Sequence, residues 1–166
     1  MAMRCAAAGP VGWGMKEILL VEDSESDAEL LQRTLKQVGV TNPVRWLTTG
    51  EAALIYLKEA IQTEEIGAPV PSVLFIDLKL PGVNGFQILE AVKNLQVLAK
   101  ALRIVISSLE DTQSIKMAYA AGAHSFVTKP AKPEDISELI HSFPGYWTLS
   151  RRDGTAQAGS APSLFG

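Results

Sequence analysis

Residues that bind soft metals are scarce in this chain. It holds one cysteine, Cys5, and two histidines, so it can build neither an internal disulfide nor a Cys/His zinc cluster. Positive charge is not in surplus: 15 Lys and Arg face 18 Asp and Glu, for a formal charge of -3. That balance speaks against neutralising a phosphate backbone, and no nucleic-acid partner is expected. Long apolar runs are missing too, because the strongest, such as Ile18 to Val21, is strand-sized against the roughly 20 residues that cross a bilayer. No membrane partner is expected, and the cytoplasm is the expected compartment. Arg4 and the small residues after it begin like a signal peptide, but Gly9, Pro10, Gly12 and Gly14 interrupt any h-region.

What is present suffices for one core, since 47% of the 166 residues are hydrophobic and the length suits a single ordinary domain. The expected division is a disordered leader over 1–14, one domain over 15–149, and a disordered tail over 150–166 rich in Gly, Ser, Ala and Pro. Within the domain, β-branched or apolar runs alternate with helical patterns, which predicts an α/β fold with a doubly wound, five-stranded parallel sheet. The strand runs are Glu17 to Glu22, Pro43 to Thr48, Ser72 to Asp77, Arg103 to Ser107 and Ser125 to Thr128. Ser26 and Glu29 match a capping box for a first helix that stops before Gly39. Leu54, Leu57 and Ile61 mark the second helix; Ile88, Leu89, Val92 and Leu95 the third; Ile115, Ala118 and Ala121 the fourth. Pro133 opens the fifth, with Glu134 and Asp135 suited to its first turn.

In such a sheet functional groups collect beyond the carboxyl ends of the strands. Glu22 and Asp23 end the first strand, Asp77 the third and Ser107 the fourth, while Lys129 follows the fifth, so all five should meet at one rim. Three carboxylates together repel unless a cation joins them, and hard oxygen donors suit Mg²⁺ with waters retained. A carboxylate nucleophile (Asp77), a lysine to pair with phosphate (Lys129) and a hydroxyl to hydrogen-bond a phosphoryl oxygen (Ser107) together predict a phospho-acceptor site. Taken singly, an acidic pair is more often a helix cap, Ser107 a turn residue and Lys129 a solvated loop lysine. Pro130 permits a cis peptide after Lys129.

These residues resemble the receiver domain of response regulators: Ile18-Leu-Leu-Val-Glu-Asp-Ser24, Phe75-Ile-Asp-Leu-Lys-Leu-Pro-Gly82, Ile104-Val-Ile-Ser-Ser108 and Phe126-Val-Thr-Lys-Pro130, in that order. The resemblance implies a flavodoxin-like (βα)5 fold and a phosphorelay in which a sensor histidine kinase passes a phosphoryl group to Asp77. It further implies Mg²⁺ held by Glu22, Asp23, Asp77 and the Lys79 backbone carbonyl. Ser107 and Phe126 would be the switch residues, Phe126 working by packing alone because it lacks a hydroxyl. Glu22 departs from the commoner Asp, and Lys79 brings a positive side chain near the pocket; either would alter the dephosphorylation rate. The protein would not be a turnover enzyme but an acceptor that catalyses its own phosphorylation and dephosphorylation.

More narrowly, Gly50-Glu-Ala-Ala-Leu54, Ala68-Pro-Val-Pro71, Ser107-Ser108 and Tyr146-Trp147 resemble stand-alone regulators that serve bacterial phytochrome-type kinases. That implies a phytochrome-type partner. Expected outlets for the signal are a histidine phosphotransfer protein, phosphorylation-dependent binding, and a homodimer through the fourth helix, fifth strand and fifth helix. Tyr146 and Trp147, after Pro144-Gly145, would form a short arm that meets a dimer or kinase partner or packs on the domain itself. Only a short polar tail follows Trp147, so no output domain is expected. Two alternatives stand beside this reading: a phosphorylation-independent scaffold, and a phosphohydrolase with an aspartyl-phosphate intermediate, against which Lys79 stands where a second carboxylate is wanted.

Overall fold

A computed structural model describes residues 16–64 and 70–150. The leader and nearly all of the tail proposed from composition, and part of the Ala68 to Pro71 motif, lie outside the described residues.

The strands are β1 (Ile18–Val21), β2 (Val44–Leu47), β3 (Val73–Ile76), β4 (Leu102–Ser107) and β5 (Ser125–Thr128). The helices are α1 (Glu25–Gln37), α2 (Gly50–Glu64), α3 (Gly85–Lys93), α4 (Thr112–Ala120) and α5 (Pro133–Ser142), with a 3₁₀ turn over Gln96–Leu98. All strands pair in parallel in the order β2-β1-β3-β4-β5, the doubly wound arrangement that the alternation predicts. The chain moves outward to β2, then back past β1 to β3. The carboxyl ends of β1 and β3 therefore flank the point where the order reverses.

The three inner strands are apolar almost throughout because both faces are covered. Leu19, Val21, Leu74, Ile76 and Val105 point to one side and pack with Ala53 and Leu57 of α2 and Ile88, Leu89 and Val92 of α3. Ile18, Leu20, Val73, Phe75 and Ile104 point to the other, against Ala28, Leu31 and Leu35 of α1 and Ile136 and Leu139 of α5. The alternation of side chains along each strand thus feeds two separate cores.

The first helix begins earlier than its capping-box pattern suggests. Ser24 is the N-cap, its Oγ accepting the Asp27 N–H at 3.3 Å, and Ser26 lies inside the helix. Ser24 wins because the turn after β1 is itself fixed: the Ser24 N–H donates to Glu22 Oε2 at 3.1 Å. The other ends follow expectation, with Gly39 at φ 93° and Gly122 at φ 115° after α1 and α4, where residues with a Cβ are strained. Asn84 and Gln87 form a reciprocal capping box at α3.

Tyr146 and Trp147 do leave the last helix, and they turn back onto their own domain. The segment pairs Leu149 with Val40 in an antiparallel bridge, and the Thr41 N–H donates to Thr148 O at 2.7 Å. Trp147 packs with Phe75, ring centroids 6.4 Å apart, and its Nε1–H donates to Phe143 O at 2.9 Å. The indole completes the α1/α5 core at the amino ends of the strands.

Candidate functional site

The residues at the carboxyl ends of β1, β3 and β5 converge, as the topology requires. Carboxylate oxygens of Glu22, Asp23 and Asp77, one from each, all lie within 4.8 Å of one another. Glu22 is 2% and Asp77 4% exposed, while Asp23 opens to solvent. Two carboxylates buried beside a third would be unstable without a counterion. Lys129 supplies one: its Nζ donates to Glu22 Oε1 at 2.6 Å and to Asp77 Oδ2 at 3.0 Å. The Lys129-Pro130 peptide is cis.

The remaining acceptors are tied to backbone. Asp77 Oδ1 accepts the Lys79 N–H at 3.2 Å, so the loop after β3 wraps around its own acidic residue while the Lys79 side chain is exposed. Ser107 is fully buried; its Oγ accepts the Leu109 N–H at 3.1 Å, and its carbonyl accepts the Lys129 N–H at 2.9 Å. Phe126 is half-buried on β5 and packs against the α2–α4 core. Its edge also borders an open groove with Glu110, Lys132 and Phe143.

The electrostatics follow from burial and pairing. Burial pushes the Glu22 carboxyl up to about 7, against the opposing pull of its Lys129 hydrogen bond. Burial by itself would lower Lys129, but hydrogen bonds to Glu22, Asp27 and Asp77 outweigh it and hold the ammonium well above its usual range. Lys129 therefore stays charged at any physiological pH.

Two members of the site escaped the sequence reading. Asp27, in the first turn of α1, accepts from Lys129 Nζ at 3.0 Å. It lies in the first turn of the helix that leaves the same rim directly after β1, and that position is the signal that would have found it. Trp46, at the end of β2, donates its Nε1–H to Glu22 O at 2.8 Å, fixing the backbone that aims the Glu22 carboxylate.

The donor set fits a hard divalent cation. It has carboxylate oxygens from three residues converging at one point, with an ammonium already neutralising two of them and solvent reaching the third. Mg²⁺ wants a few such oxygens and keeps its remaining waters.

The family model of the response regulator receiver domain matches residues 18–141. The chain belongs to this family. The receiver is similar to the probable methanogenesis regulatory protein FilR2 of Methanothrix harundinacea, with 32% identity over 130 residues covering 78% of this chain and 82% of that protein. Among solved structures it is similar to the Mn²⁺-bound form of response regulator Rcp1, with 29% identity and a TM-score of 0.63 over 81% of this chain and 98% of the other. It is also similar to the bacteriophytochrome response regulator AtBRR, with 30% identity and a TM-score of 0.68 over 81% and 96%. It is thus a CheY-like receiver of two-component systems, a family whose members are phosphorylated on an aspartate, work with sensor histidine kinases and bind Mg²⁺ or Mn²⁺ at an acidic pocket. No helix among the described residues is long and apolar enough to cross a membrane.

Proposed function

We propose that Asp77 is the phosphoryl acceptor and that Glu22, Asp23, Asp77 and the Lys79 carbonyl hold Mg²⁺. The observation that carries this reading is the convergence of Glu22, Asp23 and Asp77 with a lysine ammonium bonded to two of them, at the point where the strand order reverses. In the transfer, an Asp77 carboxylate oxygen forms a bond to phosphorus as the bond to the donor imidazole nitrogen breaks, and the electron pair leaves with the imidazole. Lys129 then pairs with a phosphoryl oxygen in place of the carboxylate oxygen it now holds. A bound Mg²⁺ supplies neutralisation of the phosphoryl oxygens. Hydrolysis of the acyl phosphate returns Asp77, so the protein is an acceptor that resets itself and not an enzyme with an external substrate.

The Ser107 hydroxyl would exchange its bond from the Leu109 N–H for a bond to the phosphoryl group, and Phe126 would turn inward from its half-buried position. These changes would alter the face made by α4, β5 and α5, where Met117 and Tyr119 are already exposed at 44% and 47%. That face is the proposed surface for a homodimer or a downstream partner, a histidine phosphotransfer protein being one candidate. The similarity to a bacteriophytochrome response regulator supports a phytochrome-type kinase as the phosphoryl source. Lys79, exposed where a phosphohydrolase would place a general acid, weighs against true hydrolase action.

The test is intact mass after incubation with acetyl phosphate, with Mg²⁺ or with EDTA. The expected result is one labile phosphoryl adduct that needs Mg²⁺. A folded protein that takes up no phosphate under these conditions would favour a phosphorylation-independent scaffold.

A further inference from the structure

Lys129 bonds three carboxylates that differ in one respect. Glu22 and Asp77 belong to the candidate cation site, and their side chains are 2% and 5% exposed; Asp27 lies outside that cluster and is 42% exposed. The ammonium therefore bonds one oxygen of each of two carboxylates, Glu22 Oε1 and Asp77 Oδ2, on which a divalent cation would also draw. A cation entering the cluster meets a competitor already in place.

Such a competitor cannot simply withdraw. Its side chain is only 13% exposed, and an ammonium left there without a counterion would be costly. Asp27 removes the difficulty because it already accepts from Nζ at 3.0 Å, so the lysine can lean onto it with no movement of the chain. The Asp27 contribution to the α1 N-cap comes from its backbone N–H, which leaves the side chain free for this role.

Resting on the acceptor-site reading above, we infer that Asp27 is a positioning residue that takes up Lys129 when Mg²⁺ engages Glu22 and Asp77, and so lowers the cost of loading the metal. Without Asp27, the third Nζ donor has no carboxylate and Lys129 presses harder on the other two. Mg²⁺ affinity should fall although no ligand has been touched.

The experiment is calorimetric titration of the full chain with MgCl₂ for wild type, Asp27→Asn, Lys129→Met and the double variant, with thermal unfolding as the check on folding. Expected is a several-fold weaker Mg²⁺ affinity in Asp27→Asn, rescue in Asp27→Glu, and no further effect of Asp27→Asn once Lys129 is Met. An equal loss in both backgrounds would overturn the inference, because it would show only the through-space effect of one lost negative charge. An unchanged affinity in Asp27→Asn would also overturn it while leaving the acceptor-site reading intact. Wild type that binds no Mg²⁺ would remove the reading beneath it. If Lys129→Met does not fold, Lys129→Gln takes its place in the cycle.

Discussion

Each carboxylate of the site is placed for charge and at the expense of stability. Oxygens of Asp23, Glu22 and Asp77 lie within 4.8 Å of one another, and like charges at such a distance repel by up to about 1 kcal/mol per pair where water still screens them. Asp23 is the exposed member, so Asp23→Asn should leave the fold intact. It should raise stability in EDTA by about 1 kcal/mol and abolish most of the extra stability that Mg²⁺ confers on wild type. Urea unfolding with and without Mg²⁺ checks both signs; a variant less stable than wild type in EDTA would contradict the repulsion argument. At this scale Asp77, Glu22, Asp23 and Lys129 were legible because strand ends can be read from apolar runs and parallel topology sends them to one rim. Asp27 was not, since an acid in the first turn of a helix has an ordinary explanation in the helix dipole.

The elements carry the site through close backbone contacts. A Cβ added at Gly85, the first residue of α3, would lie 2.4 Å from the Asp77 carbonyl oxygen and 2.7 Å from Leu78 Cα. Gly85→Ala would therefore push on the backbone that carries Asp77, costing about 1–3 kcal/mol and, on the acceptor assignment proposed for Asp77, slowing phosphorylation. Full retention of both stability and rate would show that the loop yields freely.

At the other end of the sheet, the Arg103 N–H donates to His124 Nδ1 at 3.0 Å and the His124 N–H donates to Arg103 O at 2.8 Å, tying β4 to the turn before β5. Burial and the Arg103 charge both lower the His124 imidazole from its usual 6.5. The unfolded chain then takes up its proton first as pH falls. The contribution of His124 is complete above its unfolded value and shrinks below it, until the folded imidazole protonates as well. The stability difference between wild type and His124→Asn, which keeps an acceptor without the titration, should shrink as pH falls below about 6.5. A difference independent of pH would contradict the account. Strand positions were readable to within a residue or two, whereas the α1 cap was misplaced because Ser26 and Glu29 imitate a capping box two residues after the true cap at Ser24.

Over the whole molecule, signalling chemistry and structural closure occupy opposite ends of the sheet. The acidic cluster lies beyond the carboxyl ends of the strands, and the segment after α5 seals the amino ends through Asn42. This buried side chain donates to Lys16 O and Tyr146 O at 2.6 and 3.0 Å and accepts the Thr148 N–H at 2.7 Å. Asn42→Ala should cost about 1–3 kcal/mol by leaving buried polar groups without partners, with Mg²⁺-dependent phosphorylation of the folded variant unchanged. A variant as stable as wild type would show that the segment is held elsewhere. No local pattern could reveal this closure: the Asn42 partners Tyr146 and Thr148 are 104 and 106 residues away along the chain, and a Tyr-Trp pair after Pro-Gly reads equally well as an arm for a partner.

If Asp77 alone receives the phosphoryl group, chemical trapping will mark that residue and no other. Borohydride reduces an aspartyl phosphate to homoserine, so the chain is phosphorylated with acetyl phosphate and Mg²⁺, reduced, and mapped by peptide mass spectrometry. Homoserine at position 77 alone is the predicted result. Its appearance at another carboxylate, or its absence from a chain that demonstrably carries phosphate, would contradict the assignment.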